Sequence, residues 1–324
     1  MSGQLPTRPA ISANLGQFLM ARWQDILAGN GTLLVDGGTG SELRRRGMAL
    51  DAAAWSGLAS LTHYELLRTI HADYIAAGAD VVTTNTFATT RFVLAATGHD
   101  AEFATINARA VAAAREAREA RGREVAIAGS ISCLPPRFDV HAYPHERAES
   151  AAYFELAETL AEAGVDCLAL EMMQETRHAP LACEAARRTG LPFWIGVSCR
   201  SGAGGALVGF DFPLVALTTC LDALLPFGPA AVAVMHTPIA TIEPALHTIR
   251  ARWAGIMGAY PEIGDGDPAT PLSVSPIDFA RDAETWRTAG ARILGGCCGT
   301  TPDHVRALAA RYGGNGIGPT SFGT

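Results

Sequence analysis

Two adjacent cysteines, Cys297 and Cys298, follow a short apolar run near the end of this 324-residue chain, within the segment Gly-Gly-Cys-Cys-Gly-Thr. Vicinal thiolates can hold one soft metal ion such as zinc, and a zinc ion can bind a substrate thiol and keep it ionised at neutral pH. Free cysteines also pack as small hydrophobic residues. The pair therefore predicts thiol chemistry only if other polar residues converge on it.

Several polar residues, and one glycine, do follow other short apolar runs of the chain. They are Asp36, Gly37, Thr84, Asn85, Glu171 and His236. Carboxylates can bind an ammonium group, whereas hydroxyls and backbone N–H groups can bind a carboxylate, so the set suits a small zwitterionic thiol. Structural alternatives stay open, because Asp36 could cap a helix and His236 could be a hydrogen-bonded core residue.

The elements that would position these residues alternate along the chain. The apolar runs cover residues 32–36, 81–85, 125–129, 167–171, 193–197, 231–235, 254–259 and 292–294. Runs this short and apolar on both faces are typical of strands buried in a parallel sheet. Helical patterns lie between them, one opened by a capping box over Thr62–Glu65 and the last by Thr301 and Pro302.

Eight strand–helix units predict an α/β fold, specifically a (β/α)8 TIM barrel, in which the strand ends share one mouth. A doubly wound open sheet is the alternative, but no Gly-x-Gly-x-x-Gly motif follows the first strand. We expect three parts: a lead segment and helix (1–30), a single barrel (31–312) and a flexible tail (313–324). Three histidines in helical patterns, His63, His71 and His304, are expected to face solvent.

Composition excludes several classes of function. The net charge is −7, and no basic cluster is longer than Arg44–Arg46, which argues against nucleic acid as a partner. No apolar run reaches the length of a membrane span, and no signal-peptide pattern opens the chain. The seven cysteines are odd in number and scattered, so a reducing, cytoplasmic location is expected. Assembly into a homo-oligomer stays open.

Five motifs together resemble the homocysteine S-methyltransferase family. They are Val35–Gly40, Asn85–Phe87, Ala128–Ser130, Glu171–Met172 and Gly295–Pro302, and they span roughly residues 31–312. The resemblance implies a (β/α)8 barrel with catalytic Zn²⁺, in which Cys297 and Cys298 match two zinc ligands. It further implies that Asp36 and Glu171 hold the amino group of homocysteine and that the loop at Thr84 helps to hold its carboxylate.

The activity that the resemblance implies is methyl transfer to the thiol of homocysteine or a related thiol, forming methionine or an analogue. The donor would be a sulfonium or another cation, or a tetrahydrofolate, and no general base is needed once the metal lowers the pKa of the thiol. Betaine-using relatives carry tyrosines where this chain has Ala88 and Met172. In length the chain is most similar to the S-methylmethionine-type enzymes, and the donor and the thiol stay open.

The sequence departs from the family at the end of the sixth strand, where relatives place a third cysteine and this chain has His236. In the interpretation that we favour, His236 completes a Cys₂His zinc site with an open fourth position, because imidazole is a competent zinc ligand. If His236 does not bind metal, the chain would be a non-catalytic barrel that binds a thiol or a metal. A zinc hydrolase with Glu171 as the base is a third hypothesis.

Overall fold

Eight parallel strands form the centre of the molecule in a computed structural model, which describes residues 23–29, 31–264, 266–267 and 269–313. The strands of the barrel are β1 (Leu33–Leu34), β2 (Val81–Thr83), β3 (Ala126–Ser132), β4 (Cys167–Met173), β5 (Phe193–Val197), β8 (Ala231–Pro238), β9 (Ile256–Glu262) and β10 (Ala291–Leu294). Their order in the sheet is β1-β10-β9-β8-β5-β4-β3-β2. All eight predicted strands are therefore confirmed, with small shifts at their ends.

The sheet closes between its first and last strands. Val35 and Val81 form a parallel bridge, and the backbone N–H of Asp36 donates to the carbonyl of Val81 at 3.1 Å. Closure removes both free edges of the sheet, as a barrel requires. The predicted (β/α)8 TIM barrel is confirmed.

Helices return the chain along the outside of the barrel. They are α1 (residues 23–28), α2 (Thr39–Arg45), α3 (Ala59–Thr62), α4 (Tyr64–Ala77), α5 (Arg91–Ala95), α6 (Phe103–Arg121), α7 (Glu146–Glu162), α8 (Ala179–Arg188), α9 (Leu217–Leu224), α10 (Ile239–Arg250), α11 (Pro276–Thr288) and α12 (Pro302–Tyr312). Among the described residues, no helix is both long and apolar enough to cross a bilayer.

The interior of the barrel is filled at its N-terminal end. Trp194 of β5 is buried there, and Trp23 of α1 packs edge-on against it with the ring centroids 6.0 Å apart. Small residues of the neighbouring strands, such as Ala126 and Ala169, complete this layer. Because the described residues close this floor, the barrel opens widely at the C-terminal ends of its strands, where the predicted site residues lie.

Two local expectations about helices are wrong. Thr62 belongs to α3 and its hydroxyl donates to the carbonyl of Leu58, so it forms no capping box, and α4 begins after His63 without a side-chain cap. His71 and His304 are fully buried, whereas His63 is exposed as expected. His71 lies on the inner face of α4, which packs against α6 and α12. His304 accepts a hydrogen bond from the N–H of Thr301 within the cap of α12.

Long connections surround the mouth of the barrel. The strands β6 (Cys199–Ser201) and β7 (Leu207–Gly209) form an antiparallel hairpin after β5, which the sequence pattern does not predict. The segment from Leu134 to α7 is fastened by Tyr143, whose ring stacks on His178 at a centroid distance of 3.5 Å. Residues 1–22 of the lead segment and residues 314–324 of the predicted flexible tail lie outside the described residues, and the division into three parts stays a prediction.

Candidate metal and substrate site

A cavity of about 650 Å³ opens at the C-terminal ends of the barrel strands. All eight residues predicted from the sequence line it: Asp36, Gly37, Thr84, Asn85, Glu171, His236, Cys297 and Cys298. The structure therefore brings together residues from five of the eight strand ends. This volume suits one small molecule or two that react with each other.

His236, Cys297 and Cys298 form a cluster with the spacing of metal ligands. Nδ1 of His236 lies 3.7 Å from Sγ of Cys297, and Sγ of Cys297 lies 4.0 Å from Sγ of Cys298. In a tetrahedral zinc site, Zn–S bonds of about 2.3 Å and Zn–N bonds of about 2.0 Å separate two sulfurs by roughly 3.8 Å and a sulfur from a nitrogen by roughly 3.5 Å. The two separations are close to these values and the three ligand atoms all lie within 4.8 Å of one another, so the cluster could hold a zinc ion with a fourth position open.

Backbone contacts fix the two cysteines at the end of β10. The N–H of Cys297 donates to the carbonyl of Pro261 at 2.9 Å, which ties the loop to β9. The loop after β1 then packs against it so closely that a Cβ at Gly38 would lie 2.6 Å from the carbonyl oxygen of Cys297. Gly299, with φ +81°, completes the turn after the cysteines in a conformation that favours glycine.

The strands that carry Glu171 and His236 become irregular at the site. Met172 and His236 have φ values of +58° and +42°, and the register of β4 and of β8 shifts at these points. Such bulges redirect side chains at strand ends, and residues held in the left-handed region are typical of functional sites. The distortion of β8 places the imidazole of His236 beside the cysteine pair.

The protonation of Cys297 matters for metal binding. The hydrogen bond with Cys298 and burial raise the pKa of the Cys297 thiol well above its usual value, and the neighbouring His236 lowers it only in part. Without a metal, the thiol therefore keeps its proton at neutral pH. A metal ion that binds here displaces that proton, so metal affinity rises with pH.

Two carboxyl groups face the cavity, of which that of Asp36 is buried and that of Glu171 is half-buried. Asp36 accepts hydrogen bonds from the backbone N–H of Thr83 at 2.8 Å and from its hydroxyl at 2.9 Å, and Glu171 accepts one from the hydroxyl of Ser130. Burial raises the pKa of Asp36 to about 8 and that of Glu171 to about 7, because these hydrogen bonds offset the loss of water only in part. A cation bound between them would stabilise their ionised forms.

Thr84, Asn85 and Gly37 line the cavity. The side chains of Thr84 and Asn85 form hydrogen bonds within the protein, and Gly37 has no side chain. The hydroxyl of Thr84 pairs with that of Thr86 and accepts from the N–H of Ser130, and the side-chain amide of Asn85 both donates to and accepts from Ser56. These side chains hold the loops of the mouth in place. A Cβ at Gly37 would lie 2.7 Å from Oγ1 of Thr300 and 2.8 Å from the hydroxyl of Tyr74, so this position requires glycine.

Sequence reasoning missed the residues that support the carboxyl groups, and it gave Tyr260 no role. Thr83 and Ser130 are the hydrogen-bond donors to Asp36 and Glu171, and Ser130 stands within one of the motifs quoted above. Tyr260 lies in β9, two residues before its end, and lines the cavity. Their position in the sequence could have identified these three residues, because each lies on a barrel strand close to the mouth.

Comparisons with known proteins point to one family. A family model described as homocysteine S-methyltransferase matches residues 33–312. Homocysteine S-methyltransferase 4 of Zea mays is 30% identical over 86% of this chain and 89% of its own, and homocysteine S-methyltransferase YbgG of Bacillus subtilis is 27% identical over 89% and 96%. The crystal structure of the homocysteine methyltransferase MmuM from Escherichia coli, metallated form, matches with a TM-score of 0.73 and 25% identity over 90% of this chain and 99% of that one.

Proposed function

This chain belongs to the homocysteine S-methyltransferase family, and we propose that it transfers a methyl group from a sulfonium or similar donor to the thiol of homocysteine or a related thiol. The products would be methionine, or an analogue, and the demethylated donor. The observation that carries the proposal is the cluster of His236, Cys297 and Cys298 in one cavity with the carboxyl groups of Asp36 and Glu171. That cavity offers separate partners for the sulfur and for the ammonium group of an amino-acid thiol.

We assign the metal ligands to His236, Cys297 and Cys298, and the metal to zinc. Two sulfurs and one imidazole nitrogen are a donor set that zinc accepts readily, and their spacing fits tetrahedral bonds. Bound zinc would supply a Lewis acid that keeps the acceptor sulfur ionised at neutral pH. The imidazole of His236 lies beside the cysteine pair, where the resemblance implies a third cysteine, and this position supports a catalytic zinc site rather than a non-catalytic barrel.

Asp36 and Glu171 are assigned to the ammonium group of the acceptor. Asp36 is buried and Glu171 is half-buried, and both line the same cavity as the metal ligands. Burial disfavours the ionised forms of these carboxyl groups. A bound ammonium group would stabilise the carboxylates again, because it donates a charge-assisted hydrogen bond to each of them. Thr83 and Ser130 keep the carboxylate oxygens in position through the hydrogen bonds described above.

The transfer itself is a displacement at the methyl carbon. A lone pair of the acceptor sulfur forms the new S–C bond while the bond from the donor heteroatom to the methyl group breaks and returns its electron pair to the donor. The acceptor proton has left to solvent before this step. Apolar side chains around the sulfur, among them Phe87, Leu134 and Met235, exclude water from the path and hold the two reactants close together.

Methylation assays with purified protein test the proposal. Zinc-loaded protein should convert homocysteine to methionine with at least one donor in a panel of sulfonium, quaternary ammonium and methyl-tetrahydrofolate compounds, read by mass spectrometry. Chelated protein should lose this activity and regain it on addition of zinc. A failure of every donor with homocysteine and with related thiols or selenols, in protein with full zinc content, would contradict the proposed function.

A further inference from the structure

The start of the β6–β7 hairpin is fastened to the end of β8 on either side of His236. Before the histidine, Sδ of Met235 lies 3.0 Å from the hydroxyl of Ser198, the residue that precedes β6. After it, the hydroxyl of Thr237 accepts a hydrogen bond from the N–H of Cys199 at 3.0 Å. These four partners are all buried, so water does not compete for either contact. The hairpin therefore holds both chain neighbours of His236.

The ring of Phe210, the residue after β7, packs against the imidazole of His236. The two ring centroids lie 4.8 Å apart at an interplanar angle of 63°, an edge-on arrangement that is favourable between aromatic rings. The same imidazole has its Nδ1 3.7 Å from Sγ of Cys297. Because the imidazole contacts both residues, the phenyl ring limits the rotation that would turn Nδ1 away from the cysteine.

The chain on both sides of Phe210 is itself fixed to the end of β4. The N–H of Asp211 donates to Oε1 of Gln174 at 2.7 Å, and the side-chain amide of Gln174 donates to the carboxylate of Asp211 at 2.8 Å. On the other side, a Cβ at Gly209 would overlap the carbonyl oxygen of Gln174. Gln174 is buried, so these contacts give Phe210 a rigid support.

His236 needs such support because of its backbone. Its φ of +42° lies in the left-handed region, where a residue other than glycine persists only if the surrounding contacts over-determine it. Met172, the other left-handed residue of the site, contacts the same segment, since its Sδ lies 3.1 Å from the hydroxyl of Ser198. A ligand that is already oriented loses little side-chain freedom when a metal binds, and so binds it more tightly.

We propose that the β6–β7 hairpin, through Phe210, is the positioning element of the metal ligand His236 and raises the affinity of the site for zinc. Phe210 is a positioning residue, because it contacts the imidazole and not the metal. The inference rests on the proposed function, since it assumes that His236 binds zinc. A cysteine at position 236 offers no ring for the phenyl group to pack against, so the effect of Phe210 must be specific to the histidine.

The affinity for zinc alone, measured by competition with a chromophoric chelator, tests this specificity in two backgrounds. In wild-type protein, Phe210→Ala should raise the Kd for zinc about fivefold or more, because the imidazole loses its aromatic partner. In His236→Cys protein, the same change should alter the Kd by less than about twofold. Zinc binding by the double variant also shows that the protein without the phenyl ring is folded.

Two further measurements do not depend on the cysteine background. Gln174→Met, which has a similar size but loses both hydrogen bonds to Asp211, should weaken zinc binding in protein that keeps His236. X-ray absorption of zinc-loaded Phe210→Ala should show a weakened imidazole contribution, while the contribution of two sulfurs stays unchanged.

Phe92→Ala is the matched control, because it also removes a half-buried phenyl ring that packs edge-on against another ring, that of Tyr153 at 5.9 Å. It should leave the Kd for zinc within about twofold of the wild-type value. An equal rise of the Kd in both backgrounds, or no rise in protein that keeps His236, would overturn the inference. Because no thiol or donor is present, protein that binds zinc as expected but methylates no thiol would instead contradict the proposed function.

Discussion

Asp36 is predicted to lower the free energy of unfolding of the substrate-free protein, although its carboxyl is needed to bind the acceptor. Its carboxyl has a pKa of about 8 in the folded chain against an ordinary value of 3.8. At pH 7 the carboxyl of Asp36 is ionised in the unfolded chain but mostly protonated in the folded chain. Because pH 7 lies about 3.2 pKa units above the ordinary value, and each unit is worth about 1.36 kcal/mol, this difference lowers the free energy of unfolding by about 4 kcal/mol. Asp36→Asn removes that cost.

The asparagine keeps the local contacts, because its oxygen can accept from the N–H of Thr83 and its amide can donate to the hydroxyl of Thr83. A raised carboxyl pKa means that stability falls as pH rises from about 4 to about 8. Urea unfolding of metal-free protein should therefore show Asp36→Asn close to wild type at pH 4 and more stable by up to about 4 kcal/mol at pH 7. Asp222→Asn, at an exposed ion pair with Arg252, should shift stability by less than about 1 kcal/mol.

The same substitution should damage activity in a selective way. Loss of one charged hydrogen bond predicts a fall of roughly 10- to 150-fold in kcat/KM for homocysteine, and little change for 4-mercaptobutanoate, which lacks the amino group. If Asp36→Asn is no more stable than wild type at pH 7, or if the difference in their free energies of unfolding does not grow as pH rises, the reasoning about the buried carboxyl is refuted. Equal losses with the two thiols would refute the assignment to the ammonium group.

Three further changes have defined expected outcomes. Cys298→Ala should abolish zinc binding and methyl transfer together, measured by metal analysis and product formation, whereas Cys220→Ala, a buried cysteine outside the cavity, should retain both. His71 has a pKa lowered to about 4 by burial, so stability should fall by about 3 kcal/mol as pH drops from 6.5 to 4, and unfolding curves of His71→Leu should lack this fall. Ser130→Ala should lower kcat/KM for homocysteine about fivefold, because Glu171 loses its hydrogen-bond donor; an unchanged value would show that the serine does not support the carboxylate.

The sequence predicts the barrel and the converging site because both follow from local patterns. Short apolar runs identify the strands, and polar residues at their ends, such as Asp36 and Glu171, must share one mouth once the strands are parallel. The grouping of His236 with the cysteines was predicted from the family resemblance and from the shared mouth of the strands. Fold topology brings the ends of β8 and β10 to the same mouth with β9 between them, and the distortion of β8 then places the imidazole beside the cysteines.

The remaining features depend on contacts between distant parts of the chain. The left-handed backbone of Met172 and His236 has no local signal, because only a few per cent of non-glycine residues adopt that conformation and neither residue type predicts it. The place of the Tyr260 hydroxyl depends on Gly196, a residue 64 positions away on another strand. The burial of His71 depends on two helices that pack over it, so a helical pattern with a polar residue predicted exposure and was wrong.

X-ray absorption at the zinc edge tests the central claim most directly, because it reads the ligands of the metal rather than its effect on activity. Zinc-loaded protein should show two sulfurs at about 2.3 Å and an imidazole nitrogen at about 2.0 Å, and homocysteine should add a third sulfur. In His236→Ala the imidazole signal should disappear while the sulfur signal remains. A wild-type spectrum without imidazole, or a spectrum that homocysteine leaves unchanged, would contradict the account.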